Sequence, residues 1–528
     1  MLTDSPTNRF IIRSIITFFQ SYAPFCLGYV AWSLVASQWP AWSLGFEDYL
    51  HRTWMWRICL PEALFYVFFL WYKRHIQKEA IHPPVKTRQE RQDLFNKCQR
   101  EIHDPISFLS GWFRGARVED IGREELRKFV DWSFWEGRAE LASEKDGDNA
   151  EIEEYMNKME IMMPQPFQKG PGKARSLRLT LDPIEIEPRS LMWYSLIMLA
   201  DTFTLLLLYL KGYSYYRRTF WKALAVFPPR PAAFFTRKTS VASRLSYFLR
   251  EHTSKTRLPV VYIHGIGIGL LPSVTFLAEL NHELNDGRSE DDQVGILALE
   301  VLQISSRLTE SIPTRTELLA QLTTVINHHF GEGRFVLGAH SYGTILSAQI
   351  LRDKNLSPRI SGTLLVDPVT CMLHMPDVAY NFTCRPPVRA PEWLLWYFAS
   401  KDPQIAHTLG RHFFWTENVL WRDQIDHLIE NHGMRFTASI SSDDLILNAK
   451  AVRAYLENGT KSDPVITKDE EGRKTMDLEP TDVATSKPWR GSGLETIWWQ
   501  GHDHGDVYVR KDHRARLIKV IEEYCRGQ

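Results

Sequence analysis

One short segment surrounds a serine with the small neighbours that an exposed nucleophile needs. Gly338-Ala-His-Ser-Tyr-Gly343 places Ser341 after a predicted strand, residues 334–337, and before a run with helical spacing. A serine hydroxyl is a weak nucleophile, and a sharp strand-to-helix turn is one way to expose it. The segment predicts a nucleophilic Ser341 at the carboxyl edge of a sheet, where open α/β sheets bind ligands. The alternative is a structural serine in such a turn.

Two later segments supply a candidate acid and a candidate base. One follows a predicted strand and offers two neighbouring carboxylates, Asp443 and Asp444. The other follows the last predicted strand and offers two imidazoles, His502 and His504. A carboxylate can orient an imidazole that takes the proton of a serine hydroxyl. Asp367 follows an earlier strand, and we expect it to shape its loop instead.

The elements that must position these residues begin near Leu258. From there short β-branched runs alternate with helical ones, which is typical of a mostly parallel sheet covered by helices. Strands are predicted at 259–263, 295–299, 334–337, 362–366, 435–440 and 495–499, and helices are predicted to begin near Pro272, Arg315, Tyr342, Asn448 and His513. The sequence therefore predicts an α/β fold.

The serine segment resembles the nucleophile elbow of α/β hydrolases, which reads Gly-x-Ser-x-Gly, with Ala339 in place of the first glycine. A second resemblance is His264-Gly-Ile-Gly-Ile-Gly269, directly after a predicted strand. In that family this loop and the residue after the nucleophile supply the backbone N–H groups of the oxyanion hole, which implies Ile266 and Tyr342. A dinucleotide-binding loop would need Gly-x-Gly-x-x-Gly, and the spacing here does not match.

The resemblance also orders the acid and the base. The family carries its residues in the order Ser, Asp, His. Aligning Ser441 with the glycine of the family's Gly-x-x-Asp-x-Ile-Val implies Asp444 as the acid, with Asp443 as the alternative. The family's frequent His-Gly implies His504 as the base, with His502 as the alternative. The resemblance implies an esterase- or lipase-like serine hydrolase with the α/β-hydrolase fold, no cofactor and no metal.

The chain is longer than one hydrophobic core usually organises, and three regions are predicted. Residues 1–80 carry membrane-anchoring segments, 81–250 form a helical region with a linker, and 251–528 form the hydrolase domain. In the last region, about 375–430 is rich in aromatics and lies where the family inserts its helical lid. An apolar lid favours lipid-like esters, although such a segment can also pack on the sheet. A polar segment, about 458–492, is predicted to be a mobile insertion.

Apolar runs in the N-terminal half indicate a membrane. Residues 14–37 contain no charged residue and are long enough to cross the hydrocarbon core. A cleaved signal peptide is the alternative for this run. Residues 58–72 carry one glutamate and either span or lie in the interface. Residues 191–210 place Asp201 at their centre, so this run either spans or is a buried helix of the soluble part.

Residues 82–160 show apolar residues at helical spacing and no catalytic constellation. Trp112, Trp132 and Trp135 are predicted to be packing residues and not a binding platform. Residues 1–250 loosely resemble uncharacterised membrane-anchored fungal proteins with a predicted hydrolase domain, which implies nothing about the substrate. The number of spans, the side of the catalytic domain and the organelle stay open.

Composition excludes some functions. Lys plus Arg and Asp plus Glu both number 63, so the net charge gives no footprint for nucleic acid. The six cysteines show neither metal-ligand nor disulfide spacing. The serine segment with its resemblance to α/β hydrolases, together with the apolar runs and the aromatic segment, predicts a membrane-associated serine hydrolase that cleaves lipid-like carboxylic esters through an acyl-enzyme. An inactive scaffold protein of the same fold and an acyltransferase with the same three residues are the alternatives.

Overall fold

An eight-stranded sheet forms the centre of the molecule. The computed structural model describes residues 3–36, 54–139, 145–458, 466–468, 474–476 and 489–527. The strands are β1 Ser214–Tyr216, β2 Ser246–Arg250, β3 Val260–Ile263, β4 Ile296–Glu300, β5 Phe335–His340, β6 Ile360–Val366, β7 Arg435–Ser441 and β8 Leu494–Trp499. They lie in the order β1-β2-β4-β3-β5-β6-β7-β8. Among these described strands, β2 alone runs opposite to all the others. The predicted α/β class and mostly parallel sheet are confirmed.

Two strands of this sheet were not predicted. β1 has only three residues, too few to show an alternating pattern, and β2 follows a segment that looks like a linker. Both precede residue 251, where the hydrolase domain was predicted to begin. The sheet therefore begins inside the region predicted to be helical.

The helices flank the sheet and extend toward the N-terminus. They are α1 Pro6–Ala36, α2 Met55–His75, α3 Arg88–Glu101, α4 Pro105–Trp112, α5 Arg123–Trp135, α6 Lys145–Ile161, α7 Leu191–Leu210, α8 Phe220–Leu224, α9 Pro231–Phe234, α10 Val274–Asn285, α11 Arg315–Phe330, α12 Gly343–Leu351, α13 Asp377–Thr383, α14 Ala390–Leu395, α15 Pro403–His412, α16 Trp415–Asn418, α17 Arg422–His432, α18 Ala449–Asn458 and α19 Lys511–Cys525. A π-helical turn, Trp396–Ser400, continues α14.

Alternate residues of each central strand enter two cores, as the pleat of a strand requires. On β3, Val260 and Tyr262 pack with α10 and α19, whereas Val261 and Ile263 pack with α11 and α12. The second core continues without a break into α3 to α6. The helices before the sheet therefore share a hydrophobic core with it.

The three apolar runs form helices that pack in sequence, α1 on α2 and α2 on α7. Of the described helices, Pro6–Val35 and Leu191–Leu210 are long and apolar enough to cross a membrane. In α2, the buried Glu62 accepts hydrogen bonds from the backbone N–H groups of Leu191 and Met192 at 2.7 and 3.2 Å. This glutamate therefore caps the N-terminus of α7, where a helix favours negative charge.

Asp201, the charged residue at the centre of α7, faces the protein. Its carboxylate accepts hydrogen bonds from Arg230 at 2.7 and 3.0 Å and is also paired with Arg307. Arg230 in turn donates to Glu300, at the end of β4, at 2.7 Å. All four side chains are buried, so each charge needs the others. This network fixes α7 at the carboxyl end of β4.

The polar segment predicted as an insertion lies largely outside the described residues. Two short strands within it, Ile466–Lys468 and Lys474–Met476, pair antiparallel. Its mobility stays a prediction. Residue 37, the end of the first apolar run, also lies outside the described residues.

Candidate active site

Ser341 lies at the turn between β5 and α12 with a backbone φ of 51°, a left-handed conformation that is rare for a residue with a side chain. Two glycines make this turn possible. A Cβ on Gly343 would lie 2.3 Å from the carbonyl oxygen of Ile263, and a Cβ on Gly265 would lie 2.7 Å from Ser341 Cβ. The end of β3 therefore touches the serine turn directly, as a nucleophile elbow requires.

His504 and Asp444 complete a hydrogen-bonded chain with this serine. His504 Nε2 lies 2.7 Å from Ser341 Oγ, and His504 Nδ1 lies 2.6 Å from Asp444 Oδ2. The other oxygen of Asp444 accepts hydrogen bonds from the backbone N–H groups of Ile446 and Leu447 at 2.7 and 3.0 Å. The structure thus brings the three predicted residues together, in an arrangement that can pass the serine proton to the imidazole.

The two alternative residues lie elsewhere. Asp443 is exposed, and its carboxylate accepts a hydrogen bond from the Ser442 hydroxyl. The ring of His502 lies 2.8 Å from the carbonyl oxygen of Gln500 and packs on His513. Neither side chain reaches Ser341, so the geometry favours Asp444 and His504, whose catalytic roles stay predictions.

Asp367 joins the ends of the segments that carry the acid and the base. Its fully buried carboxylate accepts hydrogen bonds from the backbone N–H groups of Ser441 at 2.9 Å and Gly505 at 2.8 Å. The potential metal-ligand atoms of Asp367, Asp444 and His504 lie within 4.8 Å of one another, which is close enough to hold a metal ion. Because each of these side chains already has a hydrogen-bond partner in the protein, the set is explained without a metal.

Three carboxylates surround His504. Burial of the ring lowers its pKa, but Asp444 raises it through charge and a hydrogen bond, and Asp367 and Asp503 raise it further, to about 9. Burial, with the charge of Asp444, raises the pKa of Asp367 to about 6. The protonated imidazole is therefore stabilised, as the step after proton transfer requires.

Asp503 is a site residue that the sequence did not single out. Its carboxylate accepts hydrogen bonds from the backbone N–H groups of Leu445 at 3.0 Å and His504 at 2.7 Å. It thereby joins the Asp444 loop to the His504 loop. Its position between the two candidate histidines was visible, but no spacing rule assigns a role to it.

The glycine-rich loop after β3 is held by His264. The backbone N–H of Val301 donates to His264 Nε2 at 3.0 Å, and Nδ1 lies 2.7 Å from the carbonyl oxygen of Gly265. Burial lowers the pKa of His264 to about 4, so the ring is neutral at pH 7. Ile266 and Tyr342 line the same cavity as Ser341. Their backbone N–H groups as oxyanion donors stay a prediction.

Ser341 opens into an apolar cavity with an empty volume of about 630 Å³, here called the Ser341 cavity. Its wall is drawn from the elbow, from α13 to α16 and from the N-terminal helices: Trp112, Trp132, Leu179, Ile266, Tyr342, Ile345, Val369, Leu373, Val378, Ala379, Phe382, Thr383, Leu409, Phe413, Trp415 and Ile446. Trp112 and Trp132 are buried in the hydrophobic core, which confirms that they pack. They also line this cavity, which sequence spacing does not reveal. Trp135 is fully buried and donates to Asp148.

The aromatic segment predicted to be a lid has two contact surfaces. Phe413 and Trp415 line the Ser341 cavity. Trp393, Tyr397 and Phe398 instead pack against α1. The segment therefore lies between the first apolar helix and the cavity. That it opens as a lid stays a prediction.

Comparisons with known proteins find only remote likeness. No family model and no curated protein matches the chain. A bacterial membrane phospholipase A is 11% identical, with a TM-score of 0.35 over 63% of this chain and 93% of its own. A carboxylesterase from Bacillus subtilis is 9% identical, with a TM-score of 0.33 over 62% and 97%. A thermophilic esterase from Thermogutta terrifontis is 13% identical, with a TM-score of 0.32 over 54% and 95%.

The high pKa of His504 predicts how serine reactivity depends on pH. Only the neutral ring accepts the serine proton, so the rate of Ser341 labelling by a fluorophosphonate should rise about tenfold per pH unit and level off near pH 9. Asp503→Asn removes a negative charge and should move the midpoint to lower pH. Asp443→Asn, an exposed control, should leave it in place. A flat profile from about pH 7 to about pH 10, or a midpoint raised by Asp503→Asn, would contradict this electrostatic account.

Proposed function

We propose that this protein is a membrane-associated serine hydrolase that cleaves lipid-like carboxylic esters through an acyl-enzyme. The observation that carries the proposal is the unbroken chain from Ser341 through His504 to Asp444, with contacts of 2.7 and 2.6 Å, at the mouth of an apolar cavity. A serine, a base and an orienting acid in this geometry are the parts of covalent acyl transfer.

The proposed reaction has two halves. Ser341 Oγ attacks the ester carbonyl while His504 Nε2 takes its proton, and Asp444 stabilises the imidazolium. The backbone N–H groups of Ile266 and Tyr342 donate to the oxyanion. The ester bond breaks, and the alcohol leaves with the proton of His504. A water then attacks the acyl-enzyme and loses a proton to His504, which donates it to Ser341 Oγ as the acid is released.

The cavity wall favours an apolar substrate. Aliphatic and aromatic side chains make up most of it, and Thr383 is the main polar member besides Ser341 among the described residues. Burying an acyl chain against this wall is favourable by roughly 25 cal/mol for each Å² of apolar surface removed from water. A long aliphatic acyl group therefore suits it better than a charged or sugar-like one.

Exposed apolar side chains support membrane association. They concentrate on α1, α2, α7 and α8: Phe10, Ile11, Ile15, Phe18, Phe25, Trp32, Leu34, Val35, Ile58, Leu64, Val67, Phe68, Leu70, Trp71, Leu196, Leu199, Phe203, Leu206, Tyr209, Leu210, Phe220, Trp221 and Leu224. Three of these helices pack together, so the residues belong to one part of the surface. Large exposed apolar patches mark membrane or protein contacts, and helices of this length favour a bilayer.

Ester turnover tests the catalytic half of the proposal. Ser341→Ala should lower kcat by about a thousandfold or more, and Asp444→Asn by about ten-thousandfold, because the imidazole loses its orienting charge. The matched controls are Ser361→Ala, a buried serine of β6 whose hydroxyl has no protein partner, and Asp443→Asn; both should stay within about twofold. The measurement is release of chromophore from a butyryl ester. Equal turnover by Ser341→Ala and wild type would disprove the mechanism, and transfer to an added alcohol in preference to water would assign acyl transfer.

Vesicle flotation tests the membrane half. The double variant Phe18→Glu/Phe25→Glu places two carboxylates on the exposed side of α1. A charged side chain at the centre of a membrane helix costs roughly 2.5 to 3.5 kcal/mol of insertion free energy. We expect wild type to float with phosphatidylcholine vesicles and the double variant to float far less. The control, Val509→Glu, changes a side chain that is 62% exposed but far along the chain from these helices, and should float like wild type. Wild type that stays at the bottom of the gradient, or a double variant that floats equally, would refute membrane insertion of α1.

A further inference from the structure

A second cavity adjoins the Ser341 cavity. It has an empty volume of about 490 Å³ and is here called the distal cavity. Helices α3 to α6 supply most of its wall, including Phe95, Cys98, Phe129 and Met159. These helices carry none of the candidate catalytic residues, although two of their tryptophans also line the Ser341 cavity.

Three tryptophans separate the two cavities. Trp112, Trp132 and Trp415 line both of them. Each indole N–H already donates within the protein, to His374 O at 3.1 Å, to Thr180 Oγ1 at 3.2 Å and to Ser133 O at 3.2 Å respectively. Their polar atoms are thus engaged, and the ring surface that remains toward either cavity is apolar.

The wall of the distal cavity also contains one unpaired polar group. His374 is buried, and neither ring nitrogen has a hydrogen-bond partner in the protein. Burial, together with the charge of His103, lowers its pKa to about 3, so the ring is neutral and can donate one hydrogen bond and accept another. A buried polar group left unpaired costs free energy, and a water held in the distal cavity would supply the missing partner.

We propose that the distal cavity receives the far part of a long acyl chain whose ester group lies at Ser341. The chain passes the three shared tryptophans and ends among α3 to α6, so the N-terminal helices set the acyl length that the enzyme accepts. The inference rests on the proposed function, because it needs an ester at Ser341. It deepens that function by naming the substrate class: carboxylic esters of acyl chains too long for the Ser341 cavity alone.

The two cavities are more simply explained as one binding site than as two. An apolar cavity left empty costs stability, so large voids are few in a folded domain. Two neighbouring voids that share a wall of three large aromatic rings are explained together if one elongated ligand fills both. The hydrophobic core continues from the sheet into α3 to α6 without a break, so the walls of the two cavities are held in fixed positions relative to each other.

Filling the distal cavity tests this inference. Cys98 is a free, buried cysteine that lines the distal cavity and not the Ser341 cavity. Cys98→Phe should lower kcat/KM for a palmitoyl ester at least tenfold and leave kcat/KM for a butyryl ester within about twofold, because only the long chain reaches the added ring. The matched control, Cys98→Ala, keeps the cavity open and should preserve the preference for the long chain.

A second variant keeps the test valid if Cys98→Phe does not fold. Ser133 lines the distal cavity but not the Ser341 cavity, and its hydroxyl donates a hydrogen bond to the backbone of its own helix. Ser133→Leu therefore fills the distal cavity from another side. Folding of each variant is checked by fluorophosphonate labelling of Ser341. If labelled variants lower turnover of both esters alike, or of neither, the distal cavity does not hold the chain. If wild type cleaves no ester at all, the proposed function fails first.

Discussion

The left-handed turn at Ser341 is the constraint on which the site depends. A side chain in this backbone region costs roughly 1 to 2 kcal/mol, so the surrounding contacts must enforce it. The Ser341 N–H donates to Val366 O at 3.0 Å on one side, and Gly265 and Gly343 allow the end of β3 to approach on the other. The central parallel strands thus hold the hydroxyl above their carboxyl edge, where the loops after β7 and β8 bring the carboxylate and the imidazole to it.

The N-terminal half is joined to this sheet by packing and by charge. The Asp201, Arg230 and Glu300 network fixes an apolar helix at the edge of β4, and α3 to α6 extend the core that lies under α11 and α12. Removing one member of such a buried network leaves another charge unpaired, which costs several kcal/mol. The helices that face outward with apolar side chains and the helices that line the cavities are therefore parts of one folded unit with the elbow. This accounts for a chain much longer than the sheet and its helices require.

The sequence predicted what depends on local pattern. Alternation and helical spacing predict six strands and the turn at Ser341. The resemblance predicts the order of the candidate catalytic residues, Ser341, Asp444 and His504. The sequence left Asp443 as an alternative to Asp444, because the conformation of the turn decides which side chain faces His504. In the structure the Asp444 carboxylate accepts hydrogen bonds from the Ile446 and Leu447 N–H groups and faces the imidazole. The roles of Asp503 and Trp132 were missed because both depend on contacts between segments far apart in sequence. β1 was missed because three residues carry no periodicity.

The central claim is that Ser341 carries the acyl group during turnover. The most direct measurement is peptide mass spectrometry of wild type quenched in acid during turnover of a nitrophenyl ester, whose fast leaving group lets the acyl-enzyme accumulate. The account predicts one new mass equal to the acyl group, on the peptide that contains Ser341, and none in Ser341→Ala. Continued product release with an unmodified Ser341 peptide, or an acyl group on a different residue, would contradict it.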